Sequence, residues 1–160
     1  MTPFAWLIGL VLPACGFPAA AGLPAPALLD VTHLVRPSSP NTALAAPAGF
    51  TPAPDIVTPP YALAPDALFA LVQAVAAAQP RTYQAALYAD QHQVHYVARS
   101  MVFNFPDLIM VQVQSAGPDA SLLIIYSRSV YGQSDLGVNR KRLATWLAEL
   151  RTKLPPSSER

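Results

Sequence analysis

The stretch Ser127–Arg142, reading Ser-Arg-Ser-Val-Tyr-Gly-Gln-Ser-Asp-Leu-Gly-Val-Asn-Arg-Lys-Arg, is where residue type and spacing come nearest to a chemical site. A strand ending near Ser129 would run into the turn Val130–Ser134, where Gly132 permits a tight bend. The turn delivers the chain to a helix N-terminus, whose unpaired N–H groups and dipole favour an anion. Arg140 and Arg142 fall in the first two turns on opposite flanks of an apolar stripe, and Lys141 points away from it. Cations at that end oppose the dipole by a few tenths of a kcal/mol each, roughly, so an anion is expected to offset them. That anion could be internal, from Asp107 or Asp135, or a bound phosphate, carboxylate or lipid headgroup. Two readings follow. In the favoured one, Arg128 and Arg140 pair with Asp107 and Asp135 and pin strand to helix, while Asn139 bridges backbone groups beneath the helix. In the other, Arg128, Asn139, Arg140 and Arg142 form an anion or headgroup site. Catalysis is the least favoured, because no nucleophile stands beside a base.

The remaining reactive side chains are scattered. Arg99, with Val97 and Met101 as same-face neighbours on a strand, needs a carboxylate, and Asp107 is the nearest in sequence. A structural pair is the first reading and a ligand clamp the second. His92 and His95 sit at a hairpin, where an offset of three places them on opposite faces. No cysteine or acid cluster completes a metal site, and there is no glycine-rich phosphate loop. Ser100, Ser127 and Ser129 lack a histidine partner, and His33 lies alone in a proline-rich stretch. Neither a cofactor nor a metal is expected.

These groups must be positioned by the C-terminal part of the chain. Thirteen of the 18 prolines lie in residues 1–65, so the first third is expected to be extended or looping. From Pro65 the patterns become regular. Asp66–Gln79 is an alanine- and leucine-rich helix, apolar nearly all round and therefore expected to be well buried, with Leu68, Leu71, Val72 and Val75 on its core face. Thr82–Ala89, Gln93–Phe103, Leu108–Ser115 and Ser121–Ser129 are strand candidates joined by short turns, which favours an antiparallel meander. In the third, Ile109, Val111 and Val113 alternate with Gln112 and Gln114, as in a sheet with one face covered and one at least partly wet. With Asp135 as N-cap, the residues Leu136, Asn139, Leu143, Trp146, Leu147, Leu150 and Leu154 form one helical stripe that Pro155-Pro156 ends. The expected fold is α+β: a four-stranded antiparallel sheet with two helices packed on one face, in the order helix-strand-strand-strand-strand-helix.

Composition sets further bounds. Hydrophobic residues make up 52% and charged residues 12%, which excludes a disordered chain. The formal charge of +1 argues against nucleic-acid binding by charge alone. Residues 1–127 carry three basic and six acidic side chains, whereas 128–160 carry seven and three, so positive charge concentrates at the C-terminal end. The single cysteine, Cys15, excludes an intrachain disulfide. It follows the apolar run Phe4–Ala14, and Leu-Pro-Ala-Cys-Gly resembles the lipobox of bacterial lipoproteins, in which such a cysteine is acylated. Pro13, and the absence of Lys or Arg before the run, depart from that pattern. The alternatives are signal cleavage after Ala19-Ala20-Ala21, or no export. The run is shorter than the ~20 residues a membrane-spanning helix needs. The chain thus divides into an export segment (1–21), a Pro/Ala-rich linker (22–29), a single α+β domain (30–154) and a tail (155–160). Its expected place is the cell envelope or periplasm, tethered through Cys15.

Tyr126-Ser127-Arg128-Ser129, then Tyr131-Gly132, then Ser134–Arg142 resemble the closing motif of the family catalogued as domain of unknown function 1499, found in bacteria and plastids. Arg36–Asn41 resembles its opening Ser-Pro-Asn segment, and Tyr96–Ser100 with Phe105-Pro106-Asp107 its central pieces. The resemblance covers roughly Asp30–Leu154. It implies that Asp30–Pro60 belongs to the folded unit. It also implies that Arg99, Asp107, Ser127, Arg128, Asp135, Asn139 and Arg140 form a shared cluster. Many members carry a cysteine near the Ser-Pro-Asn segment where this chain has Thr42. The family supplies no activity. The resulting expectation is a noncatalytic envelope domain binding an anionic ligand, lipid or protein through the arginine-rich helix start. The alternatives are a structural module with an internal Arg–Asp network and, last, an enzyme.

Overall fold

A computed structural model describes residues 23–155. Cys15 and the export segment up to residue 21 lie outside the described residues. The chain folds as an α+β unit with six strands and two helices. Strand β1 is Thr42–Pro47, β2 Ile56–Thr58, helix α1 Pro65–Ala77, β3 Thr82–Tyr88, β4 Gln93–Arg99, β5 Pro106–Gly117, β6 Ala120–Ser129 and helix α2 Val138–Lys153. Short 3-10 turns occupy Val31–His33 and Ala89–Gln91. The strands form one sheet in the order β2-β1-β6-β5-β4-β3. β3 to β6 form the expected antiparallel meander, and β1 joins it antiparallel to β6. β2 lies parallel to β1, so the sheet is mixed.

The expectation of four strands therefore misses two. β1 reads Thr-Ala-Leu-Ala-Ala-Pro, and alanine and proline are poor strand formers. Burial compensates: Ala43, Leu44, Ala45 and Ala46 are all fully buried. β2 is three residues long at the sheet edge, where flanking prolines interrupt no ladder.

Both helices pack on the same face, as expected. α1 contributes Leu68, Phe69, Val72, Val75 and Ala76 to the core, and α2 contributes Leu143, Trp146, Leu147 and Leu150. They meet Ala43 and Ala45, Val94, Tyr96 and Ala98, Ile109, Val111 and Val113, and Leu123 and Ile125 from the sheet. α1 is less enclosed than its composition suggests. Ala67, Ala70, Ala74 and Ala77 are exposed, because alanine favours a helix without needing cover. The stripe of α2 is as expected except at its start. Leu136 is 94% exposed and lies before the helix with φ 53°, and Gly137 at φ 81° occupies the N-cap position. Asp135 still caps the helix, its carboxylate accepting from Gly137 N at 2.9 Å and Asn139 N at 2.8 Å.

Among the described residues, the opposite face of the sheet carries no α-helix. Leu44, Ala46, Met110, Ile124 and Tyr126 cluster there with Val31 and Leu34 of the N-terminal segment. That segment holds on through side chains of the sheet. Gln93, fully buried, accepts from Leu29 N at 2.7 Å and donates to Leu29 O at 2.8 Å, imitating a backbone pair. Tyr88 Oη donates to Pro26 O at 2.9 Å. Leu23–Leu29 thus lie along the sheet.

Candidate functional site

Strand alternation divides the residues of the arginine-rich stretch between two faces. On β6, Ser127 and Ser129 point toward α2, and Arg128 between them points to the helix-free face. On the helix side, Asn139 is fully buried under the first turns of α2. Its amide nitrogen donates to Asn41 O and to Ser129 Oγ, both at 3.0 Å. Its carbonyl oxygen accepts from Ser127 Oγ and, at 2.7 Å, from Arg142 Nη1. Arg142 also donates to Ser127 Oγ at 3.1 Å and pairs with Asp107 Oδ2 at 2.6 Å. Asn41 extends the network by donating to Gly132 O at 2.6 Å and accepting from Ser39 Oγ at 2.8 Å. Ser127 is fully buried, bonded to an amide and a guanidinium with no base on its hydroxyl, so this arrangement holds elements together and does not activate a nucleophile.

Two expected pairings are replaced. Asp107 meets Arg142 rather than Arg99, Arg128 or Arg140. The reason is register: Asp107 lies opposite Ala98, which faces the helices, so the neighbouring Arg99 faces the other way. Arg99, 4% exposed, donates to Asn104 O at 2.9 Å. Asp135 caps α2 rather than taking an arginine. Asn139 bridges groups beneath the helix as expected. Arg140 is exposed and donates to Asp55 O at 3.4 Å, beside an open groove of about 530 Å³ shared with Lys141 and Arg151. Arg128, Asn139, Arg140 and Arg142 therefore do not converge on one place.

Arg128 instead borders a cavity of about 950 Å³ on the helix-free face. Its floor is Leu108, Met110, Tyr126 and His95 of the sheet, and its roof is Leu23–Ala27 with Leu29 and Leu34. Most of the lining is apolar. His95, 5% exposed, donates through Nε2 to Gln93 Oε1 at 2.8 Å, and burial holds its pKa below the usual histidine value. Tyr126 has its phenol pushed upward by burial, opposed by the nearby Arg128 and Arg36. Next to the lining residue His33, hydrogen bonds from Thr32 and then His33 hold the Asp30 carboxyl down to about 2. Sequence reasoning weighed His95 only as a metal ligand and passed over Gln93 and Asn41 as site residues. The available signal was Gln93 and Gln112, two glutamines within apolar strands, which bond each other at 2.6 Å.

His92 and His95 are separated as expected. His92 Nε2 donates to Asp66 at 2.7 Å and its ring meets the edge of Phe69. Among the described residues no three His, Cys, Asp or Glu side chains could together hold a metal ion, and no helix is long and apolar enough to cross a membrane. No curated protein and no solved structure matches the chain. One family model does match, over residues 34–150, a span that takes in every strand, both helix starts, Asn41 and the Asn139–Arg142–Asp107 network. The chain belongs to the family described as Protein of unknown function (DUF1499).

Proposed function

We propose that this protein is a noncatalytic binding domain of the cell envelope that takes an amphipathic molecule, with an apolar body and an anionic head, in the cavity over the helix-free face. The carrying observation is the cavity itself, about 950 Å³, walled mainly by leucine, proline, methionine and valine with Arg128 at its border. That volume and lining fit a small-molecule site, and a guanidinium is the side chain best shaped for a carboxylate or phosphate. Attachment of the chain through acylated Cys15 would place such a domain beside its source of amphiphiles.

A dansyl-labelled fatty acid tests the reading. It is expected to bind with a fluorescence increase that Leu108→Asp abolishes by placing a charge among the apolar walls. Arg128→Gln should weaken it about tenfold by removing a charged hydrogen bond. No binding, or binding indifferent to both substitutions, would overturn the proposal. A second reading, a structural or assembly module, draws on the Arg142–Asp107 pair, whose bonding with Ser127 and Asn139 is internal to the fold.

A further inference from the structure

The β4–β5 turn displays a protruding apolar tip. Met101 is 86% exposed, Val102 81% and Phe103 68%. Phe103 stacks on Phe105 with ring centroids 5.6 Å apart, and Phe105 meets Tyr131 of the β6–α2 loop at 6.3 Å. Such exposure describes side chains projecting into solvent, not lining a groove.

The tip is built rather than loose. Ser100 N donates to Phe105 O and Phe105 N to Ser100 Oγ, both at 2.9 Å, closing the turn. Asn104, at φ 56°, is held from two sides: Arg99 donates to its carbonyl and Arg81 to its side-chain oxygen. A buried arginine therefore helps hold a loop whose remaining side chains are large and apolar. Arg81, an exposed cation, stands beside Asn104. Among the described residues, the carboxylates of Asp107 and Asp135 are turned inward, to Arg142 and to the start of α2.

We infer that this tip is a membrane-insertion loop, its methionine, valine and phenylalanine side chains entering the interface of an anionic phospholipid bilayer while Arg81 meets the headgroups. Apolar and aromatic side chains beside a cation are what that interface takes up. A protein partner would need a surface of roughly 800 Å² on each side with a matching pocket, whereas a fluid interface needs only a few projecting side chains. The inference is independent of the cavity and of acylation at Cys15.

The test uses the full chain with Cys15→Ser and Val102→Cys, labelled at residue 102 with an environment-sensitive fluorophore. Vesicles of phosphatidylcholine containing phosphatidylglycerol should raise the fluorescence severalfold, and nitroxide-labelled lipids should quench it. Phosphatidylcholine alone should do so weakly. Phe103→Ser should weaken partitioning about tenfold, the loss of one apolar anchor, and Arg81→Gln should weaken it on anionic vesicles. A probe that remains in water on vesicles carrying the chain would overturn the inference, because attachment would then lie elsewhere. So would failure of the chain to bind vesicles, or a rise in fluorescence with protein concentration in the absence of lipid.

Discussion

On the helix side of the sheet, Asn139 bonds through both ends of its amide to strand and helix groups of the same fold, and Arg142 meets a carboxylate. On the other side, Gln93, braced by His95, holds one extended segment that borders a cavity. Both faces bury polar groups, but for different ends. Where two helices pack, apolar stripes already exclude water, and the polar network fixes register between α2, β5, β6 and the start of β1. Where a segment without regular structure packs, its backbone has no ladder partner of its own, and side chains of the sheet must supply one. The first arrangement resists opening at any single point, and the second concentrates its hold in a few bonds.

The largest effect is expected at the helix-side network. Arg142→Ala leaves Asp107 and Asn139 buried with fewer partners and should cost about 3–5 kcal/mol in urea unfolding, the range for breaking a buried ion pair. Arg140→Ala, two residues away on an exposed position, should stay within about 0.5 kcal/mol. Equal losses would erase the distinction between a structural and a peripheral arginine. Next in size is Gln93→Ala, which strands Leu29 N–H and C=O and should cost about 1–3 kcal/mol. Its signature is local: faster hydrogen exchange at Leu29 and protease cleavage between Pro24 and Asp30, with sheet amides still protected. Uniform loss of protection across the sheet would show that the two faces are one cooperative unit.

The smallest effect concerns pH. Burial depresses the pKa of His95 below its ordinary 6.5. As pH falls below that value the unfolded chain takes up a proton that the folded chain still refuses. Stability therefore drops through that window until the folded pKa is reached. His95→Gln should flatten this part of the stability curve, measured by thermal melts at stepped pH. An unchanged slope would mean that another group governs acid loosening of that face.

Much of this was legible in advance because it is periodic. The stripe Asn139–Leu150 follows the helical repeat, and Ile109, Val111 and Val113 follow the period of two on β5, so those faces were set before any contact was known. β1 was not legible, since Ala43–Ala46 carries no strand preference and is held by burial on both sides. The apolar run of α1 overstated its enclosure for the converse reason, alanine being as content in water as in a core.

The arginine-rich stretch shows where sequence stops. From the sequence alone came the strand ending in Ser127-Arg128-Ser129, the inward Asn139 and the capping role of Asp135, each a matter of local spacing. Which carboxylate meets which guanidinium was decided by the tertiary structure. The register of β4 against β5 sends Asp107 and Arg99 to opposite faces, and only the packing of α2 says which face brings Arg142 to Asp107. The cavity beside Arg128 arose in the same way, from a segment some 100 residues earlier in the chain laid over a face that no local pattern marks as covered.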